Sequence, residues 1–441
     1  MSRTPTIILI VLALVLAVAA FIILRTPAGP AEPQPLLGPA SQPIERFTVY
    51  RDGYIICQAE RRTISNVPGW LQTAPIEHPL LTTAVETLLR EALALTTEEP
   101  ARGDAVSLGF KPIRASIEVD GLGTLDLGRR TVAGKAIVRQ RGEGDAYTVD
   151  DTLHRLLLDG DPVAWRKRDL FDNLSVEVGR VRLTRGEETL HLARLRGAWR
   201  VLEPVGEVAN ETAVQQLLAY LIDSDVQSFI LDEPDDLARF GLAEPSLSVT
   251  VETYRKRFGP GGEVEVESDT QTLHIGGPAD IAAATFYAKR GQRDCVTTVA
   301  APLVAMLGTP LTDLLSPVAA PLQQTDIAAV ELDQADQRTT LTRTLEGWAA
   351  APALGDRTAN QLAEEVLTLL CVTEALEVAL PAGDADRPPA AVTITLRGYD
   401  TSDLARFEVR RDGPDTILIR NTTNGITRAY PASDGLASFL E

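Results

Sequence analysis

The side chains able to do chemistry are few in this sequence and stand far apart. Its three cysteines, Cys57, Cys295 and Cys371, include no CxxC pair. An odd, dispersed set is neither a disulfide framework nor a zinc site, so they read as buried thiols. The four histidines, His78, His154, His191 and His274, are equally scattered, with no two at metal-ligand spacing. Acidic clusters occur at Asp159-Gly160-Asp161, Asp232-Glu233-Pro234-Asp235-Asp236 and Asp384-Ala385-Asp386. None has the spacing that converges roughly six to eight oxygens on one calcium ion, so they read as solvated loop charge. The segment from Gly128 to Ala136 approximates a phosphate-binding loop. It has one residue too many between Gly128 and Gly134, and Ala136 stands where a magnesium-holding hydroxyl is required. No G-x-S-x-G or H-E-x-x-H pattern is present. No catalytic, cofactor-binding or metal-binding residue is therefore assigned, no cofactor is expected, and a non-enzymatic role is the leading expectation. A hydrolase whose site assembles in space from distant residues stays open as an alternative.

Composition narrows the partners. The chain has 441 residues, 44% hydrophobic and 23% charged, which suits two or three folded domains. Its formal charge of -19 repels phosphate backbones, which need clustered Lys and Arg, so nucleic acid is not expected as a partner. Aromatic content of 5% argues against broad stacking platforms for bases or sugars.

The elements that must position any site begin with an apolar segment. Residues 6–24, TIILIVLALVLAVAAFIIL, carry no charge. At 1.5 Å per residue a helix there spans roughly 28 Å, close to a bilayer's hydrocarbon thickness. Residues 1–25 are expected to form a single membrane anchor, with the remainder extracytoplasmic (periplasmic) on an inner membrane. A cleaved signal peptide, with Ala17-Val18-Ala19 as its processing site, is the alternative. Residues 26–43 hold six prolines and read as an extended spacer.

Beyond the spacer the sequence repeats itself three times. Three of the four tryptophans, Trp70, Trp199 and Trp348, follow a glycine or Gly-Ala, and each precedes a proline, Pro75, Pro204 or Pro352. A Thr-Ala-x-Glu/Gln phrase follows at Thr83, Thr212 and Thr358, at offsets of 13, 13 and 10 residues from the tryptophan. This is the pattern of a capping box and predicts three helix starts. Apolar stripes follow: Val85, Leu88, Leu89, Ala92; Val214, Leu217, Leu218, Leu221; and Leu362, Val366, Leu369, Leu370. Alternating runs such as Ala115–Val119, Leu247–Val251 and Val392–Leu396 predict half-buried strands after each helix. The expected fold is α+β: three tandem β-β-α-β-β-β-α modules, each an antiparallel sheet with a helix on one face, over residues 44–172, 173–320 and 321–441. Trp70, Trp199 and Trp348 are assigned to plugging the sheet–helix cores, and Thr83, Thr212 and Thr358 to the caps. A short apolar helix is expected to close each module, near residues 153–158, 303–307 and 436–440.

The second module carries a recognisable phrase. Gly197-Ala198-Trp199-Arg200-Val201-Leu202-Glu203-Pro204, then Phe240-Gly241-Leu242-Ala243-Glu244-Pro245, then Leu273-His274-Ile275-Gly276, resemble the bacterial family called domain of unknown function 4340. The likeness spans residues 174–320, and modules one and three read as diverged copies without the Phe-Gly-Leu-x-x-Pro phrase. The resemblance implies one membrane segment, an exported body and genes that often neighbour ABC-2 type or gliding-motility-type transporter components. It brings no catalytic residues. The leading expectation is a membrane-anchored accessory or scaffold protein, with ABC-2 type transporter subunits as candidate partners. The alternative is an extracytoplasmic binder of a small molecule, lipid or glycan. Oligomeric state is left open.

Overall fold

The computed structural model describes Ala13, Leu16 and residues 33–432, apart from 40–41, 65–66, 98, 133, 173, 175–176, 259–262, 335–336, 355–357 and 382–389. Ala13 and Leu16 are helical, but the rest of the expected anchor lies outside the described residues. Among those described, no helix is long and apolar enough to cross a membrane. The expected closing helix at 436–440 also lies outside them.

The chain forms two compact units, Met1–Lys167 and Arg168–Glu441. The first holds a nine-stranded antiparallel sheet. Strands Arg46–Arg51, Tyr54–Ile64, Val67–Ala74 and His78–Leu80 form a meander, and helix α1 (Thr82–Leu93) follows. A short strand, Glu99–Ala101, docks at the far edge. Strand Ala115–Val119 then returns beside the first strand and begins a second meander. Counted along the chain, the order across the sheet is fourth, third, second, first, sixth, seventh, eighth, ninth, fifth. The second unit contains two sheets. Its first sheet has the same nine-strand order, and its second has eight strands in the same order without the short strand before the helix. Threefold repetition is thus a property of the topology as well as of the sequence. The module pattern is richer than expected, with nine, nine and eight strands instead of five. The additional strands include long interior ones, such as Tyr54–Ile64, Gly123–Arg130 and Val264–Pro278, as well as short edge strands such as His78–Leu80 and Glu99–Ala101.

The shared register explains the repeat's apolar pattern. Val49, Ile117 and Leu125 lie side by side across three strands of the first sheet. Leu183, Val249 and Leu273 do so in the second sheet, and Leu332, Ile394 and Phe407 in the third. All nine are buried, and each row faces its module's helix within one apolar cluster. Helix α2 (Glu211–Asp223) buries Val214, Leu217, Leu218 and Leu221, and helix α3 (Ala359–Cys371) buries Leu362, Val366, Leu369 and Leu370. Each such side chain contributes about 1.5–3 kcal/mol relative to exposure.

The caps correct the sequence reading. Only Thr358 is an N-cap; its hydroxyl accepts from the Gln361 amide N–H in a capping box. Thr212 lies inside α2, whose cap is Asn210, accepting from the Ala213 N–H at 3.3 Å. Thr83 lies inside α1, whose N-cap position is Leu81 with no side-chain cap bond. Helix entry in fact follows each tryptophan at a nearly constant distance, and the Thr phrase slides by two residues relative to it. Asn caps better than Thr, so Asn210 wins where both are available. Asn210→Ala is expected to cost about 1 kcal/mol in urea unfolding and Thr212→Ala only a few tenths. Equal losses would contradict this assignment.

Part of the proline-rich stretch is attached rather than free. Leu36 and Leu37 are buried in the first module's core, and the Leu36 N–H donates to the Leu95 carbonyl at 2.8 Å. Two adjacent leucines give this segment apolar area that a plain spacer lacks.

Candidate functional site

Within the second unit, the two sheets meet along a polar seam surrounded by apolar contacts. The connector leaves the helical turn Leu311–Leu314 and runs past the short strand Glu207–Val208, where the Ser316 N–H donates to the Val208 carbonyl at 3.0 Å. It continues to the end of α3, where the Ala320 N–H donates to the Leu370 carbonyl at 2.7 Å. From the third sheet, the hairpin turn between strands Thr416–Asn421 and Thr427–Pro431 reaches back. Its Ile426 is fully buried in the second sheet's core.

The seam is fastened by charge. Arg428 is fully buried; its Nε and Nη2 donate to the Ser316 carbonyl at 3.0 and 2.9 Å, and Nη2 lies 3.6 Å from Glu207 Oε2. Asn424 Nδ2 donates to the same carboxylate oxygen at 2.8 Å, and the Val208 N–H donates to Glu207 Oε1 at 2.8 Å. Asn424 Oδ1 accepts from the Ile426 N–H at 3.1 Å, which holds the turn in shape. Gly425 makes this turn possible with φ of 73°, a left-handed conformation that L side chains rarely adopt.

Beside this lock lies an open groove of about 610 Å³. The second sheet supplies one wall, including Arg196, Ala198, Arg200 and Glu207. The connector and third sheet supply the other, with Ala319, Ala320, Leu322, Leu404 and Ala405 along it and Asn421, Thr423 and Asn424 at its rim. Ala198 and Arg200 lie in the Gly197–Pro204 phrase, but nothing in that phrase marked them as lining a groove. Glu207 and Arg428 are separated by more than two hundred positions, and only the Asn424-Gly425 turn signal was legible nearby.

The tryptophans divide. Trp70 and Trp199 are 1% exposed, and Trp70 packs edge-on against Phe47 with ring centroids 5.4 Å apart. Trp348 is only half-buried, on an edge strand, with the Arg343 guanidinium 4.5 Å over its ring. The expected core plug therefore describes Trp70 and Trp199; Trp348 is a rim residue, because the third sheet has no further edge strand to cover it.

The four histidines and three cysteines stay apart. Cys57 and Cys295 are buried, Cys371 is partly so, and none is disulfide-bonded. Burial pushes the thiols of Cys57 and Cys371 up to about 12 and about 11. Among the described residues no cluster of His, Cys, Asp or Glu could hold a metal ion. Among the described residues a hydroxyl–imidazole pair stands out: Ser248 Oγ lies 2.9 Å from His274 Nδ1. These two are cross-strand neighbours, and Lys289 is next in the row. The same row of the first sheet reads Ser116, Asp126, Arg139, with Asp126 fully buried and ion-paired to Arg139 at 3.2 Å and Arg141 at 2.7 Å. In the third sheet it reads Thr393, Glu408, Arg420, with the last two paired at 3.0 Å. The row is a polar ladder in every module, so Ser248 and His274 occupy a structural position.

His154 is different. It is fully buried under the first sheet, with Nε2 3.2 Å from the Ile137 carbonyl oxygen and Nδ1 unpartnered. Burial, helped by nearby Arg130 and opposed by the Ile137 carbonyl, lowers its pKa to about 4. The unfolded chain takes up this proton near 6.5, so stability from keeping His154 neutral is complete above that pH and is lost as pH falls toward 4. The loss is on the order of 3 kcal/mol. Thermal melts between pH 7 and 4 should show this slope in the natural protein and a shallower one in His154→Leu. Identical slopes would contradict it.

Residues 199–393 match the family described as Domain of unknown function (DUF4340). The chain resembles that family over this stretch. The match begins at Trp199 in the second sheet and ends at Thr393 in the third, so it crosses the seam instead of ending with the second module near residue 320 as the sequence suggested. No curated protein and no solved structure matches. The family phrase is a packing device. Gly241, at φ of 68°, lets Phe240 and Leu242 fold over the face of the sheet opposite the long helix, beside Val296. There a Cβ on Gly276 would lie 2.2 Å from the Phe240 carbonyl oxygen. Module one carries the same device with its apolar residues exchanged. Leu108-Gly109-Phe110 covers Ile137 and Ala146, Gly109 has φ of 85°, and a Cβ on Gly128 would lie 2.4 Å from the Leu108 carbonyl oxygen. The first module thus lacks the Phe-Gly-Leu-x-x-Pro letters, as expected, but carries a structural counterpart in Leu108-Gly109-Phe110-Lys111-Pro112, and in these two modules apolar clusters cover both faces of the sheet rather than one.

Proposed function

We propose that this chain is a non-catalytic, membrane-anchored extracytoplasmic scaffold that docks a protein partner along the seam of its second unit. The observation that carries the reading is the buried Glu207–Arg428–Asn424 lock beside the groove. A buried ion pair is often no more stabilising than a well-packed apolar substitute. Its use here is geometric: it fixes one sheet against the next, so that two walls from different modules present one constant surface. Residues 6–24 supply the inner-membrane anchor in this reading, and an ABC-2 type transport assembly is the partner class that the family resemblance brings to mind.

The volume of the groove also suits a small ligand, since such sites commonly enclose roughly 300–1,000 Å³. An envelope small-molecule, lipid or glycan binder is therefore the second reading. Photocrosslinkers placed at Thr423 on the groove rim and at exposed Asp120 of the first unit, in the full-length chain in its own membrane, separate the two. The scaffold reading predicts a transporter-subunit adduct from Thr423 that Asp120 does not give. Identical protein adducts from both positions would overturn it, and a low-molecular-weight adduct from Thr423 alone would establish the second reading in its place.

A further inference from the structure

We infer that the groove takes an extended, acidic peptide segment whose carboxylates meet Arg196 and Arg200; this rests on the scaffold reading above. The charge arrangement is the reason. Three ionised side chains belong to the groove: Arg196, Arg200 and Glu207. Glu207 is already answered by Arg428, Asn424 and the Val208 N–H. Arg196 is exposed and Arg200 half-exposed. Neither forms an ion pair or side-chain hydrogen bond among the described residues. The groove is therefore locally cationic on a chain whose formal charge is -19. An acidic ligand is repelled by most of this surface and drawn to this place, while a basic ligand has many competing sites.

The walls also differ in kind. Both free cations stand on the second-sheet wall, whereas the opposite wall offers small apolar side chains from Ala319, Ala320, Leu322, Leu404 and Ala405. A strand alternates its side chains between two directions. A segment with acidic and apolar residues in alternation can turn its carboxylates to the arginines and its apolar residues to the other wall. The amide of Asn421 and the hydroxyl of Thr423 line the rim, where an extended backbone still needs hydrogen-bond partners.

The test uses the full chain in detergent micelles and fluorescence anisotropy of three end-blocked, labelled hexapeptides: alternating Glu–Leu, Gln–Leu and Lys–Leu. The Glu–Leu peptide should bind, Gln–Leu should bind about tenfold more weakly, and the difference should shrink as salt rises. The double substitution Arg196→Glu with Arg200→Glu should reverse the preference in favour of Lys–Leu, a gain that loss of folding could not produce. No binding of Glu–Leu, equal binding of Glu–Leu and Gln–Leu, or an unchanged preference in the double variant would each overturn the inference. If Thr423 still crosslinks to a transporter subunit in membranes, the scaffold reading survives and only the acidic-peptide chemistry fails.

Discussion

Arg428→Ala is expected to cost the second unit about 3–5 kcal/mol and to uncouple its two sheets. The guanidinium is fully buried and answers both the Ser316 carbonyl and the Glu207 carboxylate. Removing it leaves a carboxylate that is only 4% exposed without its counter-charge. That desolvated charge, more than the lost contacts, sets the magnitude. Uncoupling should appear in calorimetry as a second-unit transition that broadens or splits, because each sheet keeps its own helix and core. The double substitution Glu207→Leu with Arg428→Met should recover most of the loss, since it removes both charges while keeping volume. If the single variant melts like the natural protein, the seam is not held by charge. If the double variant is as unstable as the single one, the hydrogen bonds to Ser316 and Asn424 are the fastening instead.

What the sequence disclosed follows from how local each signal is. The helix stripes at Val214, Leu217, Leu218 and Leu221, and the alternation at Leu247, Val249 and Val251, report burial on one face of one element, and the structure buries all seven. The threefold repeat was legible because every copy places a Gly-Trp or Ala-Trp pair in the third strand of one topology. The caps misled because the Thr-x-x-Glu/Gln phrase lies two residues past the N-cap in two of the three copies, and only geometry shows that Asn210 stands in the Thr212 role. Exchange of Phe and Leu between Phe240-Gly241-Leu242 and Leu108-Gly109-Phe110 hid the first module's copy from a letter-by-letter reading, although the glycine requirement was the same. The groove was invisible for a different reason. Arg196, Glu207 and Asn424 come together only when one module's strand ends meet the next module's turn, and nothing in the spacing of distant residues encodes that meeting.

The tryptophans test whether repeated residues do repeated work. Trp199→Ala is expected to destabilise the second unit by about 3–5 kcal/mol, because the side chain is 1% exposed and sits within the main core with Val201, Val214 and Leu217. Trp348→Ala should cost only about 1 kcal/mol. Its ring is half-buried and loses chiefly a contact with Arg343 and the edge of the third core. Trp199→Phe separates area from polarity. The Trp199 indole N–H is buried with no hydrogen-bond partner, so phenylalanine gives up packing volume but also relieves an unsatisfied donor. A loss well below that of alanine, near 1 kcal/mol, is therefore expected for phenylalanine. Urea unfolding of the three variants in the full-length chain measures these differences. Comparable losses for Trp199→Ala and Trp348→Ala would mean that the third copy is held as tightly as the second. The modules would then share their energetics as well as their topology, and the half-exposed position of Trp348 would be a poor guide to its contribution.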